Sequence, residues 1–483
     1  MRIVLVHPTG SNWVPGKKDI TATANRMAPL GLLSIAAWLD QNGHDVFVHD
    51  CLGPQVPTSN AAHAEIILGY KPDLVGFSAT TSGFLDGYEL AERIKTARPE
   101  IHTVFGGVHI SSLGAILLKD FEHIDFLCQG EGEVTLAELA SGRQPSQIKG
   151  LIWRNGDQPV SNPSRPVIPD LDSLPFPAYD KLQGFPKGYN LPLFSYILGV
   201  GATMVTSRGC VYQCSYCDRS VFKKGYRFNS AEYIYEHMRH LRKQFGVRHI
   251  NIYDDLFTAN RRRIVKLCDL LISKPLGMQF NCAVRVGQTD DELLEMLKKA
   301  GCLMLSLGIE TADTNLREFH KPGVRTDDIS DTVKRIQAKG LRAKGLFMMG
   351  LPGETEESIK KTSDYAMSLD LDDMNMSKFT PFHGAPIWSR IHKFGTFEED
   401  WRKMNCINFV FVPREIDSKE KLDQLYNTHV KRFYSSPQWR HKFAKRLWQH
   451  RRSLWYFASH LPSFLAAKRN FEPDKDIGSH SSR

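Results

Sequence analysis

The chain has 483 residues and a formal charge of +9, with the hydrophobic and charged fractions of a soluble protein too long for one ordinary core. No apolar run approaches a bilayer span, and the start Met1-Arg2-Ile3-Val4-Leu5-Val6-His7 is too short and polar-flanked for a signal peptide. Six of the nine cysteines are scattered singly (Cys51, Cys128, Cys268, Cys282, Cys302, Cys406), which argues against a disulfide framework and for a reducing, cytoplasmic setting.

From residue 1 to about 145, short apolar runs alternate with helical stretches, as expected of a doubly wound parallel sheet. Strands are predicted at Ile3–Val6, Asp45–His49, Leu74–Ser78, Thr103–Phe105 and Phe126–Cys128. Helices are predicted at Leu30–Asn42, Ala61–Leu68, Leu85–Thr96 and Val134–Leu139. Small or glycine-rich turns follow successive strands: Pro8-Thr9-Gly10, Ser78-Ala79-Thr80, Gly106-Gly107 and Gly130-Glu131-Gly132-Glu133. Taken singly each glycine reads as a plain turn. Together they line one sheet edge with backbone that a large polar ligand can approach closely.

Residues 146–195 are dense in proline and turn residues and read as a linker. From 196 to about 390 the alternation resumes, with strands at Thr203–Thr206, His249–Tyr253, Gln279–Arg285, Leu303–Ile309, Ala343–Met349 and Met374–Phe379. Intervening helices are predicted at Ala231–Gln244, Arg262–Ile272, Asp290–Ala300, Ile329–Ala338 and Thr355–Met367. Six such units suggest a partial (β/α)6 barrel of the TIM type, open on one side.

The first strand of that barrel leads into Cys210-Val211-Tyr212-Gln213-Cys214-Ser215-Tyr216-Cys217, a C-x3-C-x2-C loop. Three thiolates on one tight loop can hold three irons of a cubane and leave the fourth without a protein ligand. Clusters that only carry electrons usually close the shell with a fourth cysteine. Zinc is the competing reading, but it ordinarily takes four protein ligands, or three and a water, often in paired C-x2-C units. No second C-x2-C is present.

The loop, with the aromatic Tyr216 before its last cysteine, resembles the cluster loop of radical S-adenosylmethionine (SAM) enzymes. That resemblance implies that Cys210, Cys214 and Cys217 hold a 4Fe–4S cluster whose open iron chelates SAM, and that reduction releases a 5′-deoxyadenosyl radical. Pro29-Leu30-Gly31-Leu32, Gly76-Phe77-Ser78, Gly106-Gly107-Val108-His109 and Gly130-Glu131-Gly132-Glu133 resemble, in that order, the cobalamin-binding domain of one large radical SAM subclass. The likeness implies a Rossmann-like cobalamin domain over 1–145, with Thr9, Ser78, Thr80, Gly106, Gly107, Gly130 and Glu131 at the cofactor. The D-x-H-x-x-G pattern that supplies a histidine to cobalt elsewhere is missing, so His7 and His109 read as strand-end or loop histidines.

Polar residues end the barrel strands, where parallel barrels place ligands. Asp254-Asp255 stands where the family has Gly-Gly-Glu, so the resemblance assigns Asp255 to the SAM ammonium. Arg285 is suited to the SAM carboxylate and Glu310 to ribose hydroxyls. Gly350-Leu351-Pro352-Gly353-Glu354 resembles the family's Gly-Leu-Pro-Gly turn. A surface ion pair is the mundane alternative for each charged residue.

Residues 391–483 read as a mainly helical region with a disordered end after Pro473. Lys431 to Arg469 carries many Lys and Arg residues and no acid. Trp439, Phe443, Leu447 and Leu454 share one helical face. A helix capping the barrel and an interfacial helix on an anionic membrane both fit; nucleic acid is not expected.

The function implied is cobalamin-dependent methylation of an unactivated carbon in a small molecule, one large and lipophilic by the aromatic C-terminal region. A flavodoxin or ferredoxin would donate electrons. The alternative is oxidative cyclisation or hydroxylation of a tetrapyrrole-like substrate. A transfer-RNA methylthiotransferase would need three N-terminal cysteines, where this chain has Cys51 and Cys128. A non-catalytic cluster or cobalamin carrier is the remaining class.

Overall fold

The computed structural model describes residues 1–10, 26–189, 200–223 and 225–449. The N-terminal sheet begins with β1 (Arg2–His7), β2 (Asp45–Asp50), β3 (Leu74–Ser78), β4 (His102–Gly106) and β5 (Phe126–Cys128). Ile3, Val4, Leu5 and Val6 are all fully buried, because helices cover both faces and a doubly covered strand reads as a continuous apolar run. Helices Leu30–Gln41 and Glu133–Ala140 pack on one face through Leu32, Leu33, Ala36 and Leu136. Asn60–Gly69 and Phe84–Ala97 cover the other through Ala64, Ile67, Leu90 and Ile94.

Strand order is β2-β1-β3-β4-β5, all parallel. The chain leaves β1 for β2 and returns to β3, so a crevice opens beyond the ends of β1 and β3, where such sheets bind ligands. His7 ends β1 and Ser78 ends β3 on its two sides.

Two differences from the sequence reading concern local signals. The expected linker contributes β6 (Leu151–Asn155) and β7 (Gln158–Ser161), which extend the sheet antiparallel. Their two-residue turn contains Gly156 at φ 63°, and Pro159 is tolerated because β7 is an edge. Proline density hid this hairpin. Two short helices, Val108–Leu113 and Ile116–Asp120, also fill the connection between β4 and β5.

The second sheet contains β8 (Val200–Met204), β11 (Val247–Ile252), β12 (Gln279–Val284), β13 (Cys302–Glu310), β14 (Arg342–Met349) and β15 (Asp373–Lys378). Its order, β15-β14-β13-β12-β11-β8, is wholly parallel, and the two end strands do not pair, giving the open half-barrel. The first strand ends at Met204, so Val205 and Thr206 already belong to the exit. Between β8 and β11, β9 (Ser207–Arg208) and β10 (Arg227–Phe228) pair antiparallel and bracket the cysteine loop. Helix Thr314–His320, which the sequence reading lacked, follows β13.

Beyond the half-barrel, β16 (Gly395–Phe397) pairs with β17 (Phe411–Pro413), and helices Lys419–Tyr434 and Pro437–Gln449 follow. The last helix docks on the barrel. Arg446 pairs with Asp372 at 2.9 Å, Lys442 with Asp370 at 2.8 Å, and the Trp439 ring stacks on Phe443. This part of the basic block therefore caps the barrel. Leu454, Trp455 and the stretch after Pro473 lie outside the described residues.

Candidate functional site

Asp254, buried at the end of β11, fixes the entry to the cysteine loop. Its carboxylate accepts from the Thr206 N–H and hydroxyl, both at 2.5 Å, and from the Ser207 N–H at 3.2 Å. Arg263 stands 3.6 Å away. Gly209 then turns at φ 83°, and a Cβ there would lie 2.5 Å from the Gly225 carbonyl, so only glycine fits.

Cys210, Cys214 and Cys217 are half-buried and free of disulfides. Burial, Asp255 and the other two cysteines push the Cys217 thiol up to about 12; burial foremost also raises Cys210. A bound cation would offset these shifts, which fits a cluster's donor set.

The loop is braced from the barrel. The Ser215 N–H donates to the His320 carbonyl at 2.9 Å, and the Ser215 hydroxyl meets His320 Nδ1 at 2.6 Å. His320 Nε2 lies 2.9 Å from the Pro352 carbonyl. A carbonyl only accepts, so Nε2 carries the proton and Nδ1 accepts from Ser215. Burial lowers this histidine to about 4, keeping it neutral. His320 thus ties the cysteine loop to the Gly350–Glu354 turn. That turn is closed by Glu354, which accepts from the Gly350 and Leu351 N–H groups. Burial nonetheless raises Glu354 to about 8.

The residues singled out at the barrel mouth are placed unequally. Asp255 is exposed beside the loop; the protein around its carboxyl and the neighbouring Asp254 raise its pKa, and the Gly209 N–H opposes them. Arg285 stacks its guanidinium 3.6 Å from the Tyr212 ring centroid and gives one terminal nitrogen to the Pro322 carbonyl at 2.6 Å. Glu310 sits at φ 64° where the β13–β14 register shifts, an unusual backbone for a non-glycine residue. Lys321 binds it at 2.8 Å and also reaches the Gly308 carbonyl. The Tyr216 phenol lies against Glu310 and Cys214; burial and these two groups push its pKa far up. Lys321 and His320 escaped the sequence reading because their short helix has no strong apolar period.

On the N-terminal side two cavities adjoin. The first, about 290 Å³, is walled by Gly31, Ser34, Gly76, Ser78, Gly106, Gly107, Gly130 and Glu131, and across from them by Ser207, Arg208 and Asp255. A Cβ on Gly31 would meet nothing within 4 Å, so this glycine leaves open space. Gly107 serves packing: at φ 108°, a Cβ would lie 2.6 Å from the Ala79 carbonyl. The second cavity, about 570 Å³, lies between His7, Thr9, Ser78 and Thr80 on the sheet edge, Tyr216 and Asp218 on the cysteine loop, and Phe379 and Thr380 after β15. Ser78 borders both. Arg285 and Glu310 border neither.

Glu131 lines the first cavity, yet its carboxylate is already engaged. It accepts from Arg208 at 2.6 Å, from Arg227 at 3.0 Å and from the Ile168 N–H at 2.9 Å. Glu133 beside it accepts from Arg208 at 2.6 Å and from the Ser34 hydroxyl at 2.8 Å. Burial alone would raise Glu133, but Arg208 and Ser34 hold its carboxyl below the usual range. These pairs join the N-terminal sheet to the strand that enters the cysteine loop.

The glycine-walled cavity on the sheet edge fits a corrinoid, and the triple-thiol loop fits an iron–sulfur cluster. The radical SAM superfamily profile matches residues 204–366, and the B12 binding domain profile matches 16–140. An uncharacterized methyltransferase of Pyrococcus horikoshii is 30% identical over 91% of this chain and 93% of its own. The anaerobic magnesium-protoporphyrin IX monomethyl ester cyclase of Rubrivivax gelatinosus is 26% identical over 92% and 80%. The cobalamin-dependent SAM radical enzyme OxsB, solved with aqua-cobalamin and SAM, shares the fold at TM-score 0.70 and 15% identity, covering 98% of this chain and 73% of its own. This chain belongs to the radical SAM enzymes that join a B12-binding domain to the radical SAM half-barrel, with a 4Fe–4S cluster, SAM and cobalamin as cofactors.

Proposed function

We propose that the protein methylates an unactivated carbon of an amphipathic small molecule bound in the 570 Å³ cavity. The observation that carries this reading is that one chamber is bordered at once by the cobalamin-domain edge (Thr9, Ser78, Thr80) and by the cysteine loop (Tyr216, Asp218). The rest of its wall includes Leu52, Val108, Met348, Phe379 and Phe382 with Thr380 and Asn405, which suits an apolar body carrying a few hydroxyl or carbonyl groups.

Once bound, the cofactors supply the hydrogen-abstracting 5′-deoxyadenosyl radical and the methyl group, converting C–H to C–CH3. The chain's own residues position and shield. Cys210, Cys214 and Cys217 would hold three irons of the cluster, and His320 keeps their loop in register with the Gly350–Glu354 turn. Asp255 accepts from the SAM ammonium. Arg285, with donors left beyond the one spent on Pro322, would pair with the SAM carboxylate. Glu310, held by Lys321, accepts from ribose hydroxyls. Gly106 and Gly130 would let the corrinoid approach backbone, with Gly107 holding the turn between them. Glu131 acts through the ion pairs that hold the two domains against each other, excluding water from the radical.

Oxidative cyclisation is the second reading, supported by the Rubrivivax cyclase likeness along most of both chains. Among the described residues no helix is long and apolar enough to cross a membrane. An electron donor of the flavodoxin or ferredoxin class is part of the proposal, as is a cytoplasmic setting. A methylthiotransferase reading is disfavoured, since Cys51 and Cys128 are buried in cores on opposite faces of the first sheet.

The test is anaerobic reconstitution with cobalamin, SAM and a reductant, with candidate substrates followed by mass. Formation of 5′-deoxyadenosine with a product heavier by one CH2 supports methylation. A product that gains oxygen or loses hydrogen favours the cyclase reading, and no 5′-deoxyadenosine sinks both.

A further inference from the structure

We propose that His49, Cys51 and His63 form a mononuclear zinc site beside the wall of the 570 Å³ cavity, separate from the cysteine loop and from the glycine-walled cavity. His49 lies in β2 and Cys51 just past its end, where the Cys51 N–H still donates to the His7 carbonyl at 2.9 Å. Two residues apart on extended chain, their side chains share one face of the sheet. His63 comes from the first turn of helix Asn60–Gly69, which covers that face.

His49, Cys51 and His63 are buried, at 5%, 3% and 0% exposure respectively. One ring nitrogen of each histidine and the Cys51 sulfur lie within 4.8 Å of one another. Among the described residues no other three His, Cys, Asp or Glu side chains bring donor atoms so close. His49 Nε2 faces His63 Nδ1 at 2.9 Å, with the ring planes 69° apart. Burial foremost lowers both imidazoles, His63 to about 4, so both are neutral and a single proton lies between the facing nitrogens. His63 Nε2 has no hydrogen-bond partner among the described residues, so one contact with another imidazole is all that satisfies this ring. Nothing in an apolar core selects such a pair; a cation that takes both facing lone pairs does.

Imidazole nitrogen and thiolate together suit zinc, which often takes three protein ligands and a water, whereas magnesium and calcium prefer oxygen. Binding involves no redox change. The Cys51 thiol exchanges its proton for the metal and releases it to solvent. The proton between the imidazoles passes to the far nitrogen of its own ring, which frees both facing lone pairs. The filled site carries one net positive charge beside Asp50, which separates the two strand ligands in sequence. The ion acts as a staple, and no reaction step passes through it. It fastens the connection from β2 to the helix at both ends, through Cys51 and His63. Leu52, in that connection, lines the 570 Å³ cavity, so the staple holds part of the cavity's wall. His109 and His383 also keep unpartnered nitrogens, but their rings are 5.6 Å apart, and no third donor joins them among the described residues.

The experiment uses the full chain, reconstituted anaerobically with iron and sulfide so that the cysteine loop is filled, then equilibrated with Zn2+ and freed of excess. Elemental analysis should find about one zinc per chain, and X-ray absorption at the zinc edge should show two imidazole nitrogens at about 2.0–2.1 Å and one sulfur at about 2.3 Å. Zinc should raise the melting temperature of the wild-type chain, because it binds the folded state. His63→Phe, which fills the space without a donor, and Cys51→Ser should lose the zinc and that rise while keeping the cluster iron. No retained zinc, a shell of three sulfurs, or zinc held equally by both variants overturns the assignment. The absorption spectrum needs only the wild-type chain, so it decides the matter even if a variant fails to fold. None of these outcomes bears on the proposed methylation, which is read from product mass.

Discussion

Arg208 Nη2 stands 2.6 Å from Glu133 Oε1 across the junction of the two domains, two residues before Cys210. The same guanidinium holds Glu131 through its other terminal nitrogen. The cobalamin-domain edge and the cysteine loop are therefore one mechanical unit.

Arg208→Ala leaves the buried Glu133 carboxylate without its cation, while Glu131 keeps Arg227, and should cost about 3–5 kcal/mol in unfolding free energy. Glu133 is depressed in the fold, so its contribution is present above the unfolded carboxyl value and is lost as pH falls through the folded one. Thermal melts from neutral to acid pH should show the deficit of Arg208→Ala against wild type largest near neutrality and shrinking as Glu133 protonates. Superimposable melts would refute the role given to the pair.

Asp254 and Asp255 are adjacent in sequence yet should fail differently. Asp254→Asn replaces the oxygen that accepts from the Thr206 hydroxyl with an NH2 donor and removes the charge facing Arg263, and should lower both stability and iron content. Asp255→Asn should leave the melt nearly unchanged and weaken SAM binding by about 1.5–3 kcal/mol, roughly 10- to 100-fold in Kd. Isothermal titration with the reconstituted protein separates the two outcomes.

Glu354 reports on pH in the opposite sense to Glu133. Its folded value, about 8, lies above the ordinary 4.5, so the stability it contributes is present below 4.5 and is lost as pH rises to about 8. The loss amounts to up to about 5 kcal/mol. Glu354→Gln retains an acceptor for Gly350 and Leu351 and should flatten this slope. Denaturant unfolding across that range checks it; an unchanged slope would locate the titration elsewhere.

His320→Ala severs both contacts between the cysteine loop and the Pro352 turn. We expect a cluster that assembles but degrades faster in air than wild type, followed by the decay of its visible absorbance. His320→Gln should recover part of the lifetime by reaching one of the two partners.

What the sequence by itself determined is local. Cluster chemistry is written in three cysteines within eight residues, and the two sheets in strand-length apolar runs separated by amphipathic helices, because both depend on near neighbours along the chain. Proline hid the β6–β7 hairpin, whose pairing shows only once β5 is beside it. The division of labour among charged residues was decided by the tertiary structure alone. Asp254 became a structural anchor through Thr206, Glu131 was claimed by Arg208 and Arg227, and Glu310 gained Lys321. His7 acquired its orientation from Asp50, 43 residues away. A carboxylate or imidazole takes its role from burial and from what stands within about 3 Å, and folding alone brings those partners from distant positions.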